Sequence, residues 1–195
     1  MFDWFKRKRQ AAQPAIAPGL RVYAIGDIHG RLDLLCDLLD QIEADRADCD
    51  ATEIIFLGDY IDRGAASAQV LAHLDAYRPA RARVTCLRGN HEDALLRLLS
   101  DDELHPRHLR LWLDNGGREA LTSWDIPSAL AYGDDEAAIR EALKLAVPAS
   151  QRAFLEATHF SHRIDDYLFV HAGIKPGVPL DEQKPSDMMW IRELF

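Results

Sequence analysis

The sequence predicts an α/β domain whose core is a parallel sheet of βαβ units with helices flanking it. Three observations lead there. Short apolar, β-rich runs each end at a glycine, each is followed by a segment with helically spaced apolar residues, and the unit recurs about every 30 residues. LRVYAI (20 to 25) stops at Gly26 and reads as a buried strand. In the helix expected after it, Leu32, Leu35, Leu39 and Ile42 share one face, and Leu34 and Leu38 widen that stripe toward the core. EIIFL (53 to 57) ends at Gly58 as a second strand, and 67 to 77 follows as a helix with Ser67 as its cap and Pro79 beyond its end. RVTCL (83 to 87) ends at Gly89 as a third strand, with a helix over 92 to 100. The middle of the chain is helical. Helices are expected over 106 to 114, closed by Asn115-Gly116-Gly117 as a left-handed cap, and over 119 to 123, 135 to 145 and 150 to 158. A last strand is expected at YLFVHA (167 to 172).

The chain has 195 residues, 48% of them hydrophobic and 28% charged, as expected of one globular domain. With 23 Lys plus Arg against 32 Asp plus Glu its formal charge is −9, which disfavours binding to a nucleic-acid backbone. No run reaches the roughly 18 apolar residues of a membrane span, and no secretory apolar stretch follows the start, so no stable membrane insertion and a cytoplasmic location are expected. Cys36, Cys49 and Cys86 show no CxxC spacing and read as ordinary thiols. Residues 1–19 are expected to form a flexible basic tail, and 20–195 the folded domain. Phe2, Trp4, Phe5 and the Lys6 to Arg9 cluster could touch an anionic membrane surface, but a plain tail is the simpler reading.

Polar residues gather where the strands end. GDIHG (26 to 30) follows the first strand, GDYIDRG (58 to 64) the second and GNHE (89 to 92) the third, while the last strand carries His171. Loops at the carboxyl ends of strands in open α/β sheets form the ligand crevice, so these clusters should converge. Asp27, His29, Asp59, Asn90 and His171 then offer carboxylate, imidazole and amide donors with no thiolate, a set suited to Mn²⁺, Fe or Zn²⁺. His159 and His162 precede the last strand and read as loop residues.

The three motifs, in this order and spacing, resemble the phosphoprotein phosphatase family of metallophosphoesterases, including bacterial serine/threonine phosphatases and diadenosine tetraphosphatases. The resemblance runs from about Leu20 to the chain end. It implies a metallophosphoesterase-type core and two divalent metal ions, with Mn²⁺ the first choice and Fe, Zn²⁺ or Mg²⁺ as alternatives. Carried over, Asp27 and His29 are ligands of the first metal, Asp59 is the bridge, and Asn90 and His171 are ligands of the second. Arg63 and Arg192 are phosphate clamps, with Asn90 also near the phosphate. His91 is the general acid and Asp62 its orienting partner. The activity implied is hydrolysis of phosphate monoesters by a metal-bridging hydroxide, with a phosphorylated protein or a small phosphorylated compound as partner and no oligomeric state implied.

The family pattern continues to a further histidine in a GH-Thr/Ser motif and to closing strands, and the sequence stops at Phe195 before them. The expectation is a fragment, with a natural short form as the alternative, and with an incomplete second sheet, a weaker second metal site and little or no activity of its own. Hydrolysis of dinucleoside polyphosphates is the alternative, since it would use the same motifs, with specificity set by the helical middle from Leu104 to Thr158. A non-catalytic phosphate-binding module ranks lower, because it predicts lost ligands where Asp27, His29, Asp59, Asn90 and His91 all survive.

Overall fold

The computed structural model describes residues 13–100 and 105–192. Three strands, β1 (Leu20–Ile25), β2 (Ala51–Phe56) and β3 (Ala82–Cys86), form a parallel sheet in that order. In register, Ile25 pairs with Phe56 and Phe56 with Cys86, so the three carboxyl ends are level and their loops open side by side. Helices α1 (Leu32–Asp45), α2 (Ser67–Ala76) and α3 (Asn90–Ser100) follow the strands as the periodicity predicts. The α1 stripe is narrower than expected. Leu35, Leu39 and Ile42 are buried, but Leu34 is 53% and Leu38 38% exposed, because they lie on the flank of the helix rather than over the sheet.

The middle region contains α4 (Arg107–Trp112), α5 (Arg118–Ser123), α6 (Ser128–Ala131), α7 (Glu136–Ala146) and α8 (Ala149–Glu156). A π-type turn over Leu113–Gly117 joins α4 to α5, with Gly116 at φ 105 as the left-handed cap. A side chain there would collide with Arg63, since a Cβ would lie 2.5 Å from the Arg63 nitrogen. Asp135 caps α7 by accepting the Ala138 N–H. Ser67 does not cap α2. Its hydroxyl is turned to the preceding loop, where it accepts the Asp62 N–H at 2.9 Å.

The last strand belongs to a separate antiparallel hairpin of β4 (Ser161–Ile164) and β5 (Tyr167–Val170), not to the parallel sheet. Asp165, in the turn, takes φ 49, a conformation Asp tolerates in tight hairpins. His162 is thus a strand residue, its Nε2 2.9 Å from Glu53, and not a loop histidine. His159 is bridged to Leu87, tying the hairpin to the end of β3. A short helix, α9 (Pro185–Trp190), comes last and carries the chain toward Arg192.

Two apolar clusters lie on the two faces of the parallel sheet. The larger packs Phe56, Tyr60, Leu71, Leu95, Leu121 and Leu155 under the helices. On the other face, among the described residues, the buried members are Ile55, Leu87 and Ile164, with Leu20, Val22, Leu57 and Phe169 partly buried. Ile16 joins this smaller cluster, and the Ala15 and Ala17 N–H groups donate to Asp166 and Asp165, so residues 15–17 of the expected tail are held against the hairpin. The Lys6 to Arg9 cluster lies outside the described residues. The three cysteines are unpaired thiols, and burial pushes Cys86 up to about 12. Among the described residues, no helix is long and apolar enough to cross a membrane.

Candidate active site

The three loops at the strand ends are laced together by their backbones. The Ile28 and His29 N–H groups both donate to the Asp59 carbonyl at 2.9 Å, and Gly30 donates to Tyr60 at 2.8 Å. Beneath them, the fully buried Glu92 carboxylate accepts the N–H groups of Asp59 and Tyr60 at 2.8 Å and of Gly89 at 2.9 Å. Glu92 therefore joins the second loop to the third. Burial, and then the neighbouring Asp59 charge, push its carboxyl above the usual range, against the pull of those donors. Gly89 is required by proximity, as a Cβ there would stand 2.1 Å from Asp59 Oδ1. His29, Asp59, Asp62 and Arg63 all have positive φ, from 45 to 71, a strain of about 1–3 kcal/mol each that is tolerated where surrounding contacts fix the geometry.

The imidazoles are set by what their inner nitrogens touch. His29 Nδ1 lies 2.8 Å from the Ile61 carbonyl and His171 Nδ1 3.0 Å from the Leu57 carbonyl. A carbonyl only accepts, so both Nδ1 atoms carry the proton and both Nε2 lone pairs point inward. Asp59 lies between them. Its Oδ1 is 3.4 Å from His171 Nε2, while its Oδ2 is 3.7 Å from His29 Nε2 and 3.8 Å from His91 Nε2. Asn90 Oδ1 is 3.0 Å from His171 Nε2, and Asp27 lies 3.7 Å from His29 Nε2. Two groups of three ligand atoms result, His29 with Asp59 and His91, and Asp27 with Asp59 and His171.

These donors fit a pair of divalent ions. Two ligands each about 2.1 Å from one ion stand about 3.0 to 3.4 Å apart, the separations seen among Asn90, His171 and Asp59. The His171, Asn90 and Asp59 lone pairs meet with no proton between them, a conflict that a cation resolves. Every sequence-predicted ligand reaches this cluster. Asp27 faces both groups, since it approaches His29 and also joins Asp59 and His171, and His91 stands close enough to Asp59 to enter the first group.

His91 and Asp62 form a buried pair, Nδ1 to Oδ2 at 2.6 Å. Trp112 Nε1 donates to the same oxygen at 2.8 Å, while Asp62 Oδ1 has no hydrogen-bond partner among the described residues. Burial pushes Asp62 above the ordinary carboxylate range despite the pull of His91 and Trp112. Burial pulls His91 down, but the Asp62 carboxylate outweighs it and holds the imidazole above its usual value. Held through Nδ1 by Asp62, the ring turns its Nε2 toward the cluster. Arg63 Nη1 is 2.8 Å from His29 Nε2 and Nη2 3.3 Å from His91 Nε2, and Arg192 donates to Asn90 Oδ1 at 3.2 Å. Both predicted clamps therefore border the site.

Two residues escape the sequence reading. Glu92 closes the GNHE motif, and that position beside Asn90 and His91 is the signal that could have marked it; its full burial shows only in the structure. Trp112 carries no local signal, because its role depends on where α4 packs. Beside the site opens a cleft of about 610 Å³ bounded by Arg63, Asn90, His91, Leu111, Trp190 and Arg192.

The family model of calcineurin-like phosphoesterases matches residues 20–193. A symmetrical bis(5'-nucleosyl)-tetraphosphatase of Ectopseudomonas mendocina is 34% identical over 119 residues, covering 60% of this chain and 42% of that protein. Its namesake in Pseudomonas syringae pv. tomato is 29% identical over 155 residues, covering 77% and 50%. A serine/threonine-protein phosphatase of Candida albicans is 38% identical over 81 residues, covering 41% of this chain and 25% of that one. A crystal structure of a candidate diadenosine tetraphosphatase superposes with a TM-score of 0.55 at 20% identity, over 86% of this chain and 57% of that chain. The chain spans half or less of the length of these curated relatives. With the motif loops brought to one crevice and the family match covering nearly all of it, the chain belongs to the calcineurin-like phosphoesterases.

Proposed function

We propose that the protein is a dinuclear-metal-dependent phosphoesterase that hydrolyses phosphate monoesters, with phosphoserine or phosphothreonine in proteins as one substrate class. The observation that carries this reading is Asp59, whose two carboxylate oxygens face two separate sets of inward lone pairs. Asp27, His29 and Asp59 would hold one ion, and Asp59, Asn90 and His171 the other, with Mn²⁺ the first choice among ions that accept hard and imidazole donors. Such a pair supplies Lewis-acid charge and a water that ionises near neutral pH. The chain's own groups do the rest. Arg63 and Arg192 would bind phosphoryl oxygens as planar forks. His91 would give its Nε2 proton to the leaving oxygen, held in place by Asp62, which Trp112 and Ser67 in turn fix.

Hydrolysis of dinucleoside polyphosphates is the second reading. It is favoured by the cleft, where the half-exposed Trp190 ring and Leu111 offer apolar surface in a lining shared with Arg97 and His108. The two tetraphosphatase relatives support it as well. The test is hydrolysis of p-nitrophenyl phosphate with Mn²⁺, beside diadenosine tetraphosphate, by this chain and by one extended past residue 195. Metal-dependent turnover lost in His91→Ala and Asp59→Asn supports the mechanism, and the preferred substrate ranks the two readings. No turnover of either compound by either chain would defeat both.

A further inference from the structure

The inference here rests on reading the cluster as a metal centre. His29 Nδ1 donates to the Ile61 carbonyl, so its Nε2 is an acceptor only, and Arg63 Nη1 donates to that atom at 2.8 Å. The second Arg63 nitrogen reaches His91 Nε2 at 3.3 Å. On the other side, Arg192 donates to Asn90 Oδ1 at 3.2 Å. Each guanidinium therefore rests on an atom that also suits a metal ion.

We propose that Arg63 and Arg192 compete with the metal ions for these lone pairs, so that metal loading releases the arginines toward phosphate. The single Nε2 lone pair of His29 can serve a guanidinium N–H or a cation, not both. A cation on that nitrogen would also stand next to the guanidinium charge and repel it. Arg63 is free to leave. Its side chain is exposed, while its backbone is fixed by the N–H donated to Gly116 and by the left-handed turn, so the stem can swing without disturbing the loop. It borders both the cleft shared with His91 and a second open depression lined by Asn115 and Arg118. Asn90 Oδ1 has two lone pairs, so competition by Arg192 is weaker than that by Arg63. Metal binding and assembly of the phosphate clamp are then one coupled event, and phosphate affinity without metal is low because the forks are engaged elsewhere.

The test is calorimetric titration of Mn²⁺ into the chelator-stripped chain, without substrate, for wild type, Arg63→Met and Arg192→Met. A charge-assisted hydrogen bond that must break before the ion enters corresponds to on the order of tenfold in affinity. Arg63→Met is expected to bind Mn²⁺ about tenfold tighter and Arg192→Met about two- to threefold tighter. Structural damage would weaken binding, so a gain cannot arise from misfolding. A general charge effect is separated by salt, since at 1 M KCl the screening length is about 3 Å and only direct competition survives. A second readout needs no metal: the His29 Nε2 ¹⁵N resonance should move in Arg63→Met. Wild-type binding with unchanged or weaker affinity in Arg63→Met, a gain that vanishes at 1 M KCl, or an unmoved resonance would overturn the proposal. Absence of Mn²⁺ binding by wild type would overturn the metal-centre reading along with it.

Discussion

The two halves of the candidate centre are built to different standards. Asp59 and Asp62, from the second strand-end loop, are each fixed several times over. Asp59 is held by its own N–H on Glu92 and by two N–H groups on its carbonyl, and Asp62 by Ser67, His91 and Trp112. The helices that bury these loops share the large apolar cluster. His171 and Arg192 come from the carboxyl-terminal part, where the hairpin rests on a small cluster whose buried members among the described residues are Ile55, Leu87 and Ile164. There His171 is positioned by one carbonyl, and the segment after it by the Ala172 N–H on Met188. The difference teaches that the first half is preorganised by the sheet itself, while the second depends on a thinly packed attachment.

The largest effects should therefore fall in the first half. Asp59→Asn, which touches both ligand groups, is expected to lower the proposed metal-dependent hydrolysis by on the order of 10³-fold or more and to reduce bound metal. His91→Ala should cost about 10²–10⁴-fold in rate while metal content, measured by atomic absorption, stays near wild type. Arg192→Ala, in the second half, should cost less than either. A greater loss at Arg192 than at His91 would break the comparison.

Glu92→Gln tests whether the first half is held by one buried carboxylate. The amide turns one acceptor into a donor facing a backbone N–H, leaving that group unsatisfied at about 1–3 kcal/mol. Urea unfolding should show that loss, and rates should fall about 10- to 100-fold as Asp59 and Asn90 drift apart. Unchanged stability would mean that the backbone lacing alone suffices.

Packing sharpens the contrast next. Leu71 is fully buried under the helices, and Leu71→Ala should cost about 2–5 kcal/mol. Ile164 is 7% exposed in the small cluster, where neighbours can relax toward solvent, so Ile164→Ala should cost about 1–2 kcal/mol. Equal losses in urea titrations would show that the two faces are packed alike.

The same asymmetry separates what could be read from the sequence from what could not. The three parallel strands, their order of glycine endings and the convergence of Asp27, His29, Asp59 and Asn90 were legible because strand and loop signals are local and the parallel register levels the strand ends. The β4–β5 hairpin was not, since SHRI is too polar and too short to show strand alternation, and YLFV alone looks like one more buried strand. Ser67 was misread as a cap because a hydroxyl at a helix start is usually one, and its choice of Asp62 depends on the fold of the preceding loop. Trp112 depends on where α4 lands, and no spacing in the sequence encodes that.

The smallest effect expected lies at the far edge of the weaker half. Asp166 accepts the Ala15 N–H at 3.1 Å in an exposed bond, next to the bond from Ala17 to Asp165 that helps seat Ile16 in the small cluster. Asp166→Ala is the cleaner variant, because Asp165 also occupies the left-handed turn position. An exposed hydrogen bond of this kind contributes about 0.5 kcal/mol, so the melting temperature should move little while amide exchange at Ala15 quickens several-fold. The hairpin would then keep its place through Ile164 and the His159 bridge. If Asp166→Ala instead destabilised the protein as much as Leu71→Ala, residues 15–17 would be an integral part of the sheet's second face, and the His171 half would owe its position to the amino-terminal segment rather than to the hairpin's own packing.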